Sequence, residues 1–448
     1  MPDTPHDLTE ALLAAARAAG AESADAVAIR GESVVVDIRA GTLEQAERAE
    51  GTDIGLRVLI GGRQANVSGS DTRPETLAAL AERAVAMARE APQDPHAGLA
   101  APSQLARDRD AGGLELCDPA PAPAPETLMR MAQETEAAAL GVRGVSQVQS
   151  ASAAWSHRDM HIAASNGFSG GYARTDTSLS CAAIAGTGTG MERDADGDSR
   201  VFLGDLRGPE DIGACAGRRA AERIGARRPP TGAYPVLFDE RVAATLIGHL
   251  LAAANGASVA RGASWLRDRL DTAVLPDALD LLEDPHRPRV SGSRLFDAEG
   301  LATAPRALVA GGVLRGFALD LASARKLGMA STANAARGVS GPPSPTTWNV
   351  ALTQGSCGRD ALLREMGTGL LVTSLIGSTI NPNTGDYSRG AAGFWVEGGE
   401  IAHPVNECTI AGSLPEMLRR ITPANDARPH LSRVVPSLLV EGLTLAGA

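Results

Sequence analysis

The stretch SQVQSASAAWSHRDMHIAASNGFSGGYARTDTSLSCAAIAG, residues Ser146 to Gly186, decides the fold of the first half of the chain. Apolar and polar residues alternate along it, which is the period of strands with one buried face. Asn166-Gly167 interrupts this alternation, and Asn-Gly is a preferred pair for tight hairpin turns. The stretch therefore predicts a set of antiparallel strands that turn at Asn166.

Helical segments flank these strands on both sides. Residues Glu126 to Gly141 precede them and residues Gly208 to Arg228 follow them, both with helical periodicity. The same order occurs earlier in the chain, where a helix over Asp7 to Gly20 and a helix over Arg73 to Pro92 enclose strand-like runs. The sequence thus predicts the arrangement helix, meander, helix twice in succession.

Two segments rich in proline punctuate the chain. Residues Gln93 to Pro125, which include PAPAPAP, predict a loop or extended linker. RRPPTG (Arg227 to Gly232) predicts a domain boundary, because consecutive prolines cannot continue a helix. We therefore expect an α+β protein with an N-terminal domain over residues 1–228 and a strand-rich, barrel-like C-terminal domain over residues 233–448.

The composition limits the classes of function. The 448 residues carry a net charge of −11, and the basic clusters are short, which argues against direct nucleic-acid binding. Five cysteines without a CxxC pair indicate neither a disulfide framework nor a zinc knuckle. The start of the chain has no basic segment followed by an apolar one, and no long apolar run follows, so we expect a cytoplasmic protein without a membrane segment.

Several short motifs resemble known sites without the context that those sites need. GFSGG (Gly167 to Gly171) matches the serine hydrolase pattern, but it follows a hairpin turn rather than forming a strand-to-helix elbow. GTGTG (Gly186 to Gly190) precedes no helix, and DADGD (Asp194 to Asp198) lacks the spacing of a calcium loop, so we interpret both as loops. His157 and His161 lie four apart in a predicted hairpin, without the acid of an H-E-x-x-H helix.

One long stretch, NPNTGDYSRGAAGFWVEGGEIAHPVNECTIAGSLPEMLRRI (Asn381 to Ile421), carries a resemblance to a known family. Further matches are SARKLG (Ser323 to Gly328), LFDAEG (Leu295 to Gly300) and MERD (Met191 to Asp194). The chain resembles the TldD/PmbA family, whose members are called modulators of DNA gyrase and are regarded as bacterial and archaeal metalloprotease components. GDYSRGAAGFWVE resembles the sequence motif of the PmbA branch of this family, which is also called TldE.

The resemblance identifies positions where the other branch binds zinc. The TldD branch has an H-E-x-x-x-H helix and a cysteine ligand near the C-terminus. The resemblance places that motif over IGHLLA, with Ile247 and Ala252 at the histidines and Gly248 at the glutamate. Starting the motif at His249 restores neither the glutamate nor the second histidine, and residues Pro423 to Ser437 contain no cysteine.

We therefore expect no zinc and no catalytic residue in this chain, and a packed rather than a ligating His249. Zinc hydrolysis needs about three protein ligands and a base. The resemblance implies that a TldD-type paralogue holds the zinc, and that the two chains form a heterodimer around a channel for unfolded peptides. Such peptides would bind in extended form along a strand edge.

The same resemblance suggests which residues lie nearest the peptide. We place Asp386, Tyr387, Ser388, Arg389 and Gly390 there, because they combine polar groups with close backbone approach. The alternative is that TGDYSRGAAG is a tight turn that leads into a buried strand and needs no ligand.

Three functions remain open from the sequence. The first is a non-catalytic subunit of a heteromeric zinc protease. The second is a free-standing peptidase with an unrecognised site. The third is a regulatory binding protein of the gyrase-modulator type, which acts without proteolysis.

Overall fold

The computed structural model describes residues 4–447. Its N-terminal half consists of two consecutive units, each with a helix, three antiparallel strands and a second helix. The first unit contains α1 (Pro5–Ala18), β1 (Ser23–Arg39), β2 (Thr42–Ile60), β3 (Arg63–Gly69) and α2 (Pro74–Glu90). The second contains α3 (Pro125–Leu140), β4 (Val145–Ala164), β5 (Ser169–Ala185), β6 (Glu192–Arg200) and α4 (Pro209–Glu222). The predicted repeat of helix, meander and helix is confirmed.

The two units share one sheet with the strand order β3-β2-β1-β4-β5-β6. Antiparallel pairing of β1 with β4, from Asp25 opposite Ala164 to Ile38 opposite Ala151, joins them. Ala26 of β1 packs with α1 and α2, and Val36 of the same strand packs with α3 and α4. Because side chains an even number of residues apart share a face of a strand, all four helices cover one face of this sheet.

The predicted turn at Asn166-Gly167 is confirmed, and one helix end is corrected. Strand β4 ends at Ala164, β5 begins at Ser169, and Gly167 has a φ of 95°. Helix α4 ends at Glu222 rather than at Arg228. Gly225 adopts a φ of 79°, a left-handed conformation typical of glycines just beyond helix ends.

The acidic segment Asp194 to Asp198 was predicted to be a loop, and this prediction is wrong. The segment lies inside β6 and pairs with β5 throughout. Its carboxylates are neutralised by arginines of the adjoining helix and loop: Asp196 lies 2.7 Å from Arg219 and 2.8 Å from Arg207. These ion pairs offset the poor strand propensity of aspartate.

The C-terminal half is richer in short strands. Its strands are β7 (Gly232–Phe238), β8 (Leu281–Glu283), β9 (Arg306–Ala310), β10 (Val313–Leu314), β11 (Ala335–Ala336), β12 (Ser344–Pro345), β13 (Val350–Leu352), β14 (Gly369–Ile380), β15 (Asp386–Glu397), β16 (Glu400–Ser413), β17 (Ile421–Pro423), β18 (Arg433–Val434) and β19 (Leu438–Ala446). Its helices are α5 (Glu240–Ala253), α6 (Gly256–Ala260), α7 (Leu321–Leu327), α8 (Arg359–Met366) and α9 (Leu414–Leu418).

Five of these strands close into a barrel. Strands β7, β14, β15, β16 and β19 follow one another around it, and pairing of β16 with β19 completes the circle. Strand β7 runs parallel to β14, and the other neighbours are antiparallel. The expected α+β class with a barrel-like second half is thus confirmed.

The barrel has a core on each side of its strands. Phe238 and Val372 pack with α5, whereas Leu237 and Leu371 pack with α8. Between β7 and β14 the chain forms a smaller sheet in the order β10-β9-β8-β13-β18, to which β18 is added from the C-terminal segment. Helix α5 packs between the barrel and the smaller sheet, because the apolar cluster that contains Phe238 and Val372 also includes Leu281 and Val309 of the smaller sheet.

A buried ion cluster joins the two halves. Asp25 on β1 lies 2.7 Å from Nε of Arg57 on β2 and also contacts Arg337, which precedes β12. The predicted linker, Gln93 to Pro125, contains two short 3₁₀ turns and ends where α3 begins at Pro125. It crosses this junction, where the Ala106 backbone amide donates to the Gly300 carbonyl oxygen. Within residues 4–447, no helix is long and apolar enough to cross a membrane.

Candidate functional site

Helix α5 carries the positions that align with the zinc motif. Asp239 caps it by accepting a hydrogen bond from the Arg241 backbone amide, and a further bond of 3.0 Å to the Arg241 side chain fixes the cap. Burial tends to raise the pKa of Asp239, but Arg241 and other nearby donors lower it below its usual value. The start of α5 is therefore well anchored.

The three aligned positions lie in different surroundings. Ile247 is fully buried in the apolar core, Gly248 is half-buried, and Ala252 is exposed. None of the three side chains has a nitrogen, oxygen or sulfur atom that could bind a metal. Among residues 4–447, no group of three or more His, Cys, Asp and Glu side chains is placed to hold a metal ion.

The positively charged side chain of Arg433 lies over Gly248. A Cβ atom placed on Gly248 would lie 3.1 Å from Nη1 of Arg433, the first residue of β18. Arg433 makes no ion pair and no side-chain hydrogen bond within residues 4–447. Arg433 borders a cleft of about 320 Å³ between the two halves, with Ala244 of α5 also in its wall. The sequence did not indicate Arg433, because nothing in its neighbourhood along the chain predicts contact with α5.

His249 packs against Tyr387 of β15. Their ring centroids are 5.9 Å apart and nearly perpendicular, which is a favourable aromatic geometry. Burial lowers the pKa of His249, and the nearby Arg389 guanidinium lowers it further, so the imidazole is neutral at pH 7. Its Nε2 atom is buried without a hydrogen-bond partner among the described residues. This placement is that of a packed helix residue.

The five predicted peptide-binding residues do not share one surface. Tyr387 is 2% exposed, and burial raises the pKa of its phenol to about 12, so this side chain faces the core. Arg389 is half-buried and donates to the Gly377 carbonyl oxygen over 2.7 Å. Asp386 is exposed but accepts a 2.6 Å hydrogen bond from Thr384. Ser388 and Gly390 are half-buried in the same strand.

The turn before these residues has a structural role of its own. Gly385 has a φ of 80°, and a Cβ atom there would lie 2.6 Å from Cδ of Pro415. Glycine is therefore required by a left-handed backbone and by close packing against α9. This explains TGDYSRG in part without any ligand, whereas the role of the exposed side chains stays a prediction.

A second group of interacting residues could be recognised only in part from the sequence. Asp194 of the MERD motif contacts Arg223, which directly follows α4, at 3.3 Å and Arg241 of α5 at 3.0 Å. It thus links the N-terminal sheet to the helix that carries Gly248. The motif was recognised as a match, but the arginines that it pairs with are distant in the sequence.

Three family models match the chain in succession. They are described as PmbA/TldA metallopeptidase domain 1, the central domain and the C-terminal domain of the same family, and they match residues 24–88, 118–227 and 231–447. Together they span most of the two sheets and the barrel described above.

Curated relatives agree with these family models. The chain is 36% identical to the protein named metalloprotease PmbA from Escherichia coli O157:H7, over 97% of this chain and 94% of the relative. It is 34% identical to a metalloprotease PmbA homolog from Haemophilus influenzae, over 95% of this chain and 92% of that protein.

Solved structures share the fold. A putative modulator of DNA gyrase from Bacteroides thetaiotaomicron superposes with a TM-score of 0.90 at 26% identity, covering 98% of both chains. TldE from Thermococcus kodakarensis superposes with a TM-score of 0.84 at 20% identity, covering 98% of this chain and 99% of that one, which supports the fold alone. The chain therefore belongs to the TldD/PmbA family, in its PmbA branch.

Proposed function

We propose that this chain is the non-catalytic subunit of a heteromeric zinc metalloprotease. In this proposal a TldD-type paralogue holds the zinc, and the two chains together enclose an unfolded or extended peptide. The observation that carries it is the position of Arg433 over Gly248, at the place where the aligned motif would have its glutamate.

The relatives are named metalloproteases, so the fit of a metal to α5 has to be tested on the residues present. A catalytic zinc site has about three protein ligands and an open position for water. The aligned side chains are those of Ile247, Gly248 and Ala252, which offer no donor atom. The Arg433 guanidinium would also repel a divalent cation. These residues do not fit a zinc ion, so we assign this chain no chemical step.

A subunit without chemistry can still be required for proteolysis. An extended peptide is recognised chiefly through its main chain and needs an edge or groove that fits it. We assign that contribution to polar residues at the start of β15, with the exposed Asp386 and the half-buried Ser388 as its candidates and Arg389 beside them. Tyr387 is excluded from direct contact in this conformation because it is buried.

The test is a digestion assay on an unfolded polypeptide. This chain, a TldD-type paralogue from the same cell, and an equimolar mixture of both are compared with and without a metal chelator. We expect cleavage by the mixture, none by this chain alone, and loss of cleavage with the chelator. Elemental analysis of each purified chain after dialysis should find zinc with the paralogue and no stoichiometric zinc here.

Two outcomes would favour the alternatives. Chelator-sensitive cleavage by this chain alone would support a free-standing peptidase with an unrecognised site. A stable complex with gyrase, together with a mixture that digests nothing, would support a regulatory binding protein, the kind of function after which the similar protein from Bacteroides thetaiotaomicron is named.

A further inference from the structure

An open groove lies beside the turn that joins β14 to β15. One cavity of about 730 Å³ is bordered by Asn383 of that turn on one side and by Arg419 and Arg420, which follow α9, on the other. A second cavity of about 370 Å³ shares Trp265, Arg269 and Asn383 with the first. The two cavities therefore form one continuous groove, which we call the Trp265 groove.

The walls of the Trp265 groove are held by packing and hydrogen bonds. The Trp265 backbone amide donates to the Pro382 carbonyl oxygen over 2.8 Å, and the Leu414 amide donates to Gly385 over 2.8 Å. The ring of Trp265 lies 3.4 Å from where a Cβ of Gly385 would be. The turn, Trp265 and α9 thus form a preformed surface, which lowers the free-energy cost of binding.

The groove carries excess positive charge in an acidic protein. Arg269, Arg419 and Arg420 are exposed, and within residues 4–447 their side chains make no ion pair and no hydrogen bond. Glu416 is the one acidic residue that lines the larger cavity. Asp268 lines the smaller cavity, and Arg267 neutralises it at 2.9 Å. Three unpaired guanidinium groups around one cavity create a local positive potential that attracts anions.

We infer that the Trp265 groove binds acidic segments of an extended peptide. The inference rests on the proposed function, since it adds a preference for carboxylate-rich segments to the peptide binding of the same complex. Arginine presents a planar fork of donors that matches a carboxylate, and several arginines along one groove suit several carboxylates along one chain. Trp265 provides an apolar face between them for the intervening residues.

The experiment measures peptide binding to the purified full-length chain without a partner. The probe is a fluorescent, unstructured Gly/Ser peptide with several glutamates, and the reference is the same peptide with glutamines in their place. We expect the glutamate peptide to bind more tightly at low salt and to lose this advantage as salt rises. The triple variant R269Q/R419Q/R420Q should bind it about tenfold more weakly, because each exposed charge pair contributes modestly.

A matched variant controls for the change in net charge. R83Q/R143Q/R218Q removes three exposed arginines that also lack ion pairs within the described chain but belong to the N-terminal half and line neither cavity of the groove. Its affinity for the glutamate peptide should stay within about twofold of the wild type, because long-range charge effects are screened. Both variants should keep the wild-type unfolding transition, since all six side chains are exposed.

Three results would overturn the inference: equal binding of the glutamate and glutamine peptides, an unaffected triple variant, or binding of inorganic phosphate or a short single-stranded oligonucleotide in preference to the glutamate peptide. Failure of this inference is distinguishable from failure of the proposed function. The binding assay uses this chain alone, whereas the digestion assay uses the complex and a neutral unfolded polypeptide.

Discussion

The N-terminal sheet and the C-terminal barrel differ in their strand edges, because the sheet leaves part of β2 unpaired whereas the barrel closes on itself. In the sheet, β3 pairs only with Ile54 to Ile60 of β2, so residues Thr42 to Asp53 of β2 keep an unpaired edge. Charged side chains along it, among them Glu47 and Arg48, discourage pairing with other chains. In the barrel, Thr409 to Ala411 of β16 pair with Thr444 to Ala446 of β19, which closes the ring of strands.

The two regions also differ in how far apart in the sequence their paired strands lie. Each meander of the sheet forms between neighbours in the sequence, and only the β1–β4 pairing joins the units. The barrel needs β7 between β14 and β19, strands that lie far apart in the chain. An open sheet can tolerate change along its edge, whereas a closed barrel transmits a local displacement to every strand. Variants in the two regions test this contrast.

The largest effect is expected at the junction of the two halves. Replacing Asp25 by Ala leaves the guanidinium groups of Arg57 and Arg337 buried without their carboxylate. Removing one partner of a buried ion pair destabilises proteins by about 3–5 kcal/mol. Chemical denaturation of Asp25→Ala should show this loss, with the sheet and the barrel unfolding in separate transitions.

The matched control lies on the neighbouring strand. Asp53 is exposed on β2, and Asp53→Ala should change the free energy of unfolding by less than about 0.5 kcal/mol. An Asp25→Ala variant that is as stable as Asp53→Ala would show that the junction cluster does not couple the two halves.

Two glycines, one in the barrel and one on the open edge, allow a direct comparison of how well each region tolerates an added side chain. A Cβ atom on Gly393 of β15 would lie 1.9 Å from the Leu371 carbonyl oxygen, inside the closed barrel. Gly51 of β2 has no atom within 4 Å of such a Cβ. Gly393→Ala should therefore destabilise the protein by about 2–3 kcal/mol through overpacking.

The paired variant, Gly51→Ala, should be neutral or stabilising by up to about 0.5 kcal/mol, because alanine loses less backbone entropy on folding. Thermal unfolding of both variants under one condition measures the difference. Equal effects at the two positions would show that the barrel is no less tolerant than the sheet edge.

The contrast also explains what the sequence could predict. The alternation around Asn166-Gly167 and the helices on either side are local signals, and the structure confirms them. The acidic strand β6 was missed because its carboxylates are neutralised by Arg207 and Arg219, which follow it in the chain. Closure of the barrel depends on pairings between distant strands, which no periodicity specifies.

For the candidate site, the sequence shows which side chains are present, but it could not predict which of them come into contact. The sequence alone shows that Ile247, Gly248 and Ala252 offer no metal donor. It could not show that Arg433 lies over Gly248, since the two are brought together only by folding. Nor could it show that Tyr387, placed among the peptide-binding residues, faces the core.

Acid should destabilise the sheet through His161. Thr9 donates to the His6 carbonyl oxygen, so its hydroxyl accepts from Nδ1 of His161, and Ser169 lies 3.3 Å from Nε2. Burial, with a contribution from His6, lowers the pKa of His161 to about 4. A folded-state pKa below the unfolded value means that stability is complete above about pH 6.5 and is lost as the pH falls towards 4.

The loss attributable to His161 between pH 7 and pH 5 should be about 2 kcal/mol. His161→Gln removes the titrating group, so its unfolding free energy should vary less with pH over this window. His157→Gln, on the same strand, should keep the wild-type slope. The same slope in all three proteins would assign the acid sensitivity to another group.

The smallest effect is expected at His249, the half-buried histidine of α5. Unlike His161, it leaves a buried ring nitrogen without a hydrogen bond among the described residues, so truncation removes an unfavourable group together with the contact to Tyr387. His249→Ala should therefore lower the free energy of unfolding by only about 1 kcal/mol. Peptide digestion by the complex with a TldD-type paralogue should stay nearly at the wild-type level. A variant that folds and assembles normally but abolishes digestion would give His249 a chemical role, and α5 would then have to be reconsidered as part of the active site.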